Sequence, residues 1–301
     1  MMIIIKQLKY IQNYIYQNIL LPKILNIKYK DILLKNFELK NIKRGKRCFI
    51  IGGGPSINEI DLSLLKNEET FCMNELDQHP MYKEIQPKYH SLIDTAYFTQ
   101  PLDYFHTQQF LKKTNTISPS TSVFVNIKAK EFIKKHEMFT GHCLYYISMQ
   151  GIMNDKFDFN IDIEKTIPFP KNSALLCLLL AVYMGYSKIY LLGCEHNFLS
   201  VHIAANKSLS YGWAYKDVRD NIDTSNPEIV KKYLDERHTH ASYEVQISRV
   251  KQLFKNYRLL YKKIKKLHPD INIYNATPQS FLDVFPAINF KDIKFPSKKY
   301  A

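Results

Sequence analysis

The run Cys48-Phe49-Ile50-Ile51-Gly52-Gly53-Gly54-Pro55-Ser56-Ile57 changes character midway: four apolar, β-prone residues stop at three glycines, a proline and a serine. A parallel strand ends this way where the backbone must pass close to something. Glycines allow φ > 0 and remove the side chains that would block a ligand. Bare backbone N–H groups in such a turn form a concavity for anions. The G-x-G-x-x-G spacing of dinucleotide sites is absent, and no Gly-Lys-Ser/Thr of a P-loop follows. A nucleotide phosphate, held by a less common loop, is the expected ligand. The competing reading is a tight strand-to-helix turn with no ligand.

Outward from this turn, short apolar runs alternate with helical patterns. Thr70–Met73 reads as a strand ending at Asn74, Tyr89–Ile93 as one ending at Asp94, and Ser122–Asn126 as a third. Ile189–Leu192 runs into Gly193, and Ile271–Tyr274 reads as the last strand. Ile57–Leu65, Gln108–Lys113, Ala129–Lys135 and Asn172–Gly185 read as helices, the last closed by Gly185 at the C′ position. Tyr243–Leu267 is a long amphipathic helix with Val245, Ile247, Val250, Leu253, Phe254, Leu259, Leu260 and Ile264 as core candidates. The alternation predicts an α/β, Rossmann-like, doubly wound parallel sheet. Such sheets bind ligands beyond the carboxyl ends of their strands. Gly52 to Ser56, Asn74, Asp94 and Gly193 to Asn197 all fall there. Residues 198–242 show no clear periodicity and read as a lid-like insertion. The expected organisation is an N-terminal helical extension over 1–45, a nucleotide-binding domain over 46–290 and a tail over 291–301.

Composition narrows the class. With 46% hydrophobic residues in 301, the chain can bury a sizeable core. No apolar run approaches the roughly 20 residues of a membrane span, and no secretory signal pattern is present. Five widely spaced cysteines without a C-x-x-C suit a reduced, cytoplasmic protein. The formal charge is +14, but residues 1–47 hold eleven Lys or Arg against two acids, which leaves only +5 for the rest. That extension interleaves lysines with Ile3, Ile4, Ile5, Leu8, Ile11, Ile15, Ile19 and Leu20. It suits a helix lying on an anionic membrane surface at the inner face of the cytoplasmic membrane. It equally suits a helix packed on the domain with lysines as its solvated face. No nucleic-acid motif accompanies the charge, so no nucleic-acid partner is expected.

The chemistry-bearing residues are few. No H-x-x-x-H-type or carboxylate pair of metal-ligand spacing is present, and no Asp-x-Asp. Neither a metal nor another cofactor is expected. A G-x-S-x-G elbow is also missing. His196 follows a strand directly, in Gly193-Cys194-Glu195-His196-Asn197, while His238 and His240 precede the long helix. A histidine near neutral pKa is the usual base for a hydroxyl nucleophile. Read without a ligand, each is a surface or capping histidine. Arg237 beside them suits a phosphate leaving group or is a solvated charge.

Three blocks carry a resemblance: Gly52-Gly53-Gly54-Pro55-Ser56-Ile57 with Asn74, Gly185 through His196, and Ile273 through Ser280. The first two resemble the bacterial sialyltransferases of glycosyltransferase family 42. All three resemble the MptE-like proteins, which include archaeal hydroxymethylpterin diphosphokinases and proteins of surface-polysaccharide loci. The resemblance implies that Gly52, Gly53, Gly54, Pro55, Ser56 and Asn74 contact a nucleotide, with Asn172 and Ser173 near its base. Asp94 stands where the sialyltransferases carry asparagine. It implies His240 as the catalytic base and Arg237 at the phosphate. Glu195, His196, Asn197, Tyr211 and Tyr215 become candidates for substrate or phosphate contact. The function so implied is an inverting, metal-independent glycosyltransferase. Its donor would be a nucleotide sugar, CMP-linked and acidic. Its acceptor would be a glycan or glycolipid of lipopolysaccharide, lipooligosaccharide or capsule. Two further readings stay open: an MptE-like diphosphokinase using ATP and Mg²⁺, and a non-catalytic binding protein of a polysaccharide locus.

Overall fold

The computed structural model describes residues 2–155, 158–199, 214–215 and 243–295. Seven parallel strands form one open sheet: β1 (Arg47–Ile51), β2 (Thr70–Met73), β3 (Tyr89–Leu92), β4 (Ser122–Asn126), β5 (Leu144–Ile147), β6 (Lys188–Leu192) and β7 (Asn272–Asn275). Their order across the sheet is β5-β4-β3-β2-β1-β6-β7. The chain therefore winds outward from β1 to β5, then crosses back to lay β6 on the other side of β1. Among the described residues the α-helices are α1 (Met2–Ile15), α2 (Leu21–Lys28), α3 (Lys30–Leu34), α4 (Tyr82–Ile85), α5 (Ala96–Thr99), α6 (Phe105–Thr116), α7 (Lys130–Lys135), α8 (Ser173–Tyr183) and α9 (Tyr243–Leu267). The expected α/β, doubly wound parallel arrangement is thus present.

Both faces of the sheet are covered, and strand alternation shows how. Cys48, Ile50, Phe71, Met73, Ile189 and Leu191 point into a core shared with α8 and α9. Their neighbours Phe49, Ile51, Cys72, Tyr190 and Leu192 point into a second core with Ile57, Leu65, Tyr82 and Ile85. α8 is buried all round, from Ser173 to Tyr183, because it spans the middle of the sheet. It ends in a Schellman motif: Gly185, at φ +86°, donates to Val182 O at 3.0 Å and Tyr186 to Ala181 O at 3.1 Å.

Several expectations are corrected. β5 was not foreseen, since Leu144-Tyr145-Tyr146-Ile147 is short and has no turn residues marking its end. Residues 57–65 do not form one helix but parts of two 3₁₀ turns, Pro55–Glu59 and Leu62–Leu65. Pro55 opens the first, and Asp61 caps the second through Ser63 N at 3.0 Å. Along α9, Val245 and Ile247 are 40% and 45% exposed, while Asn256, Tyr257, Leu260 and Ile264 are fully buried. The inward stripe is Leu253, Asn256, Tyr257, Leu260 and Ile264, at intervals of three and four.

The residues before β1 shield the open edge at β5. Lys35 Nζ donates to Leu144 O at 3.1 Å. The buried Asn36 side chain donates to Tyr146 O at 2.9 Å and to Ile163 O at 2.8 Å. Carbonyls that an edge strand would otherwise offer to another chain are thereby taken.

Candidate functional site

The winding reverses between β1 and β6, where α/β sheets open a crevice beyond the strand ends. A cleft of about 160 Å³ lies there. Its floor is Gly52 to Pro55 after β1 and Gly193 to Asn197 after β6, and its sides are Asn74 after β2 and Asn172 to Ala174 at the start of α8. Tyr215 closes one flank. Most of the expected site residues are thus brought together. Ser56 is buried beside them. Asp94 is not: it is exposed after β3, and its carboxylate accepts from Ala96 N at 2.9 Å. His240, Arg237 and Tyr211 lie outside the described residues, as does the rest of the 198–242 insertion apart from residues 198–199 and 214–215.

The glycines answer first to the protein itself. A Cβ on Gly52 would stand 2.3 Å from Gly193 O, because β1 and β6 converge here. A Cβ on Gly54 would stand 1.5 Å from Glu195 Oε2. Gly193 has φ +59° and packs against Ile57. The expectation of bare loop N–H groups is corrected for three of the loop's donors. Gly52 N donates to Leu192 O at 2.8 Å, Gly54 N to Gly193 O at 3.0 Å and Ser56 N to Glu195 Oε1 at 2.8 Å. A buried carboxylate of the chain occupies the place where an anion was expected.

Free donors stand on the opposite wall. Asn172 caps α8: its Oδ1 accepts from Leu175 N at 2.8 Å. The N–H groups of Ser173 and Ala174, ahead of Leu175, have no partner among the described residues and border the cleft. They lie at the positive end of the helix dipole. Ser173 Oγ donates to Asn74 Oδ1 at 2.9 Å, which leaves Asn74 Nδ2 as a further donor.

Two strained residues are pinned by buried histidines. Asn74 has φ +53°, a region asparagine tolerates better than most residues. Its carbonyl accepts from His90 Nε2 at 2.9 Å, so His90 Nδ1 accepts from Tyr82 OH at 2.8 Å. Behind this, Asp77 pairs with Lys113, at 2% and 1% exposure, and accepts from Thr116 Oγ1 at 2.5 Å. Lys113 and His90 offset the burial of Asp77 and hold its carboxyl below the usual range.

His196 is the second, at φ +55°. Its Nδ1 faces Cys194 O at 2.9 Å and therefore carries the proton. Its Nε2 lone pair faces Tyr257 OH at 3.0 Å and Asn172 Nδ2 at 3.1 Å. Burial raises the Tyr257 phenol well above its ordinary value, so it remains a donor. Burial also lowers His196 to about 4. The imidazole is neutral and its acceptor nitrogen is filled; it ties α8, α9 and the β6 end together. Sequence reasoning did not find Tyr257, whose signal was its place in the 253–264 stripe. The block Ile273 through Ser280 acts as a brace: Thr277 Oγ1 accepts from Cys194 N at 3.0 Å, and Ser280 Oγ donates to Cys194 O at 2.7 Å.

A second cavity, of about 390 Å³, lies between Asn18 and Asn26 on one side and Asn160 and Thr166 on the other. It is larger but shares no lining residue with the cleft at the β1–β6 reversal. Several of its polar groups are spent within the chain: Thr166 N donates to Asn26 Oδ1 and Ile152 N to Asn18 Oδ1.

No protein-family model and no curated protein sequence matches the chain. Solved structures similar to it include a Maf glycosyltransferase from Magnetospirillum magneticum, at 11% identity and TM-score 0.45, over 89% of this chain and 39% of that one. Another is the sialyltransferase CstII from Campylobacter jejuni in complex with the substrate analogue cytidine 5′-monophosphate, at 16% identity and TM-score 0.39, over 86% and 92% of the two chains. A mutant of CstII, an α-2,3/8-sialyltransferase, gives 16% identity and TM-score 0.37. The chain thus spans 39% of the length of the first of these.

Proposed function

We propose that the chain is a glycosyltransferase that moves a sugar from a nucleotide-linked donor to a glycan or glycolipid hydroxyl. The observation that carries this reading is the pairing, in one cleft at the β1–β6 reversal, of free N–H groups at the start of α8 with the Asn74 amide. Two N–H donors at a helix N-terminus suit one phosphate, and a side-chain amide beside them suits a base or sugar. The donor is CMP-linked and its sugar acidic, and the reaction is inverting and needs no metal. The acceptor belongs to lipopolysaccharide, lipooligosaccharide or capsule. His240 removes the acceptor proton, and Arg237 neutralises the departing phosphate. Glu195 holds the glycine loop in shape through Ser56 N.

Calorimetry with CMP, UMP, GDP, and ATP with Mg²⁺ tests the donor. CMP is expected to bind best; no CMP binding removes this donor, and preference for ATP with Mg²⁺ favours a diphosphokinase. His240→Ala is expected to lower transfer about 10²–10⁴-fold while leaving CMP affinity within a few fold. Full transfer activity in that variant removes the base assignment.

A further inference from the structure

Residues 2–28 form a nearly continuous helical rod: α1, a π turn over Tyr16–Leu20, then α2. Its domain side is mixed, with Leu21, Pro22 and Leu25 half-buried there beside Gln17, Asn18 and Asn26. The inward face is polar at its principal contacts. Gln17 Oε1 accepts from Gln150 Nε2 at 2.7 Å, Asn18 Oδ1 from Ile152 N at 2.8 Å and Asn26 Oδ1 from Thr166 N at 2.6 Å. The outward side carries an apolar stripe. Leu8, Ile11, Ile15, Leu20, Ile24 and Ile27 are 41–79% exposed. Successive intervals along this stripe are three and four residues, except for five across the π turn. A wider turn consumes the extra residue, so the apolar stripe stays on one side.

A surface helix ordinarily turns its apolar stripe to the core. An apolar patch left facing out marks an interaction surface. Charge chooses the occupant. Lys9, Lys23 and Lys28 are exposed along the rod, and the first thirty residues contain no Asp or Glu at all. A protein partner that also faced this rod would find cations with no acids among them. An anionic bilayer offers both a hydrocarbon layer for the isoleucines and negative headgroups for the lysines. Among the described residues no helix is long and apolar enough to cross a membrane, so the rod would lie in the interface plane.

We infer that the Leu8–Ile27 face docks on the surface of an anionic lipid bilayer, held to the domain by its polar side. The inference does not rest on the reading of the cleft. The test is sedimentation of the full chain with vesicles of phosphatidylcholine alone or with about one-third phosphatidylglycerol. Wild type is expected to bind the anionic vesicles at least about ten-fold more tightly, with affinity falling as salt rises. Ile11→Glu with Ile24→Glu is expected to lose at least about ten-fold while its melting temperature stays that of wild type, since both sites are exposed. Lys9→Gln with Lys23→Gln is expected to weaken anionic binding and its salt dependence without moving the melting temperature. Failure of wild type to bind, or equal binding by the Ile11/Ile24 variant, overturns the inference. So does a wild-type dimer by light scattering that this variant converts to monomer, which would make the face a contact between two copies.

Discussion

At the scale of single residues, the two buried histidines make stability depend on acid. Burial holds His90 and His196 at about 4, whereas a histidine in an unfolded chain titrates near about 6.5. Between those values the unfolded chain binds more protons. Stability is therefore full above about 6.5 and is lost as pH falls through about 4. Each residue contributes up to roughly 3 kcal/mol across that window. The melting temperature is expected to drop steeply between pH 6.5 and 4, about the range set by these two values. His196→Gln should lower stability at neutral pH and flatten the drop; an unchanged pH profile would show that His196 is not the group responsible.

The glycines act at the same scale. In Gly52→Ala the new methyl meets a backbone carbonyl, Gly193 O, which has little room to move. In Gly54→Ala it meets the end of a flexible side chain, Glu195. Gly52→Ala is expected to cost about 1–3 kcal/mol in urea unfolding. Gly54→Ala should cost less in stability yet release Glu195 from Ser56 N, changing nucleotide affinity more than the urea midpoint. Equal effects of the two substitutions on stability would contradict this.

At the scale of elements, α8 connects fold and site. Asn172→Ala removes the cap on Leu175 N and one of the two partners of His196 Nε2. It is expected to cost about 1–2 kcal/mol, read from a urea midpoint, and to weaken nucleotide binding measured by calorimetry. How far these elements can be read in the sequence depends on local signals. β2 and β4 carry full apolar runs with clear stops, and their expected spans coincide with the observed ones. α8 announces itself through its apolar run and Gly185. β5 has no such stop, and its place is set by backbone pairing with β4. In the cleft, Asn74, Asn172, Ser173 and Glu195 were legible because each follows a strand or opens a helix. Tyr257 was not, since an aromatic in an amphipathic stripe looks like any core residue. Nor could sequence reveal that Glu195, just past a strand far along the chain, fills the loop after β1.

For the whole molecule, the residues before β1 work as an edge guard. Asn36 bonds two carbonyls, on β5 and on the 163 turn. Asn36→Ala leaves both carbonyls without this donor, and the expected loss is about 1–3 kcal/mol. The exposed edge should also promote association through strand pairing. Light scattering at rising concentration checks this: the variant is expected to form larger species at concentrations where wild type does not. A variant as stable and as dispersed as wild type would show that the edge needs no guard.

The π turn over Tyr16–Leu20 makes the rod depend on the pitch of a single turn rather than on the identity of its residues. If the same residues wound there at ordinary α pitch, the extra residue would put the two halves out of phase by about 100°. With α2 still fastened through Asn26, Leu8, Ile11 and Ile15 would swing away from the line of Ile24 and Ile27. Hydrophobicity and net charge would be unchanged, and only the phase would be lost. Along this rod, then, homologous chains are expected to exchange one aliphatic residue for another freely, and to lose the π turn only together with one residue between Ile15 and Leu20.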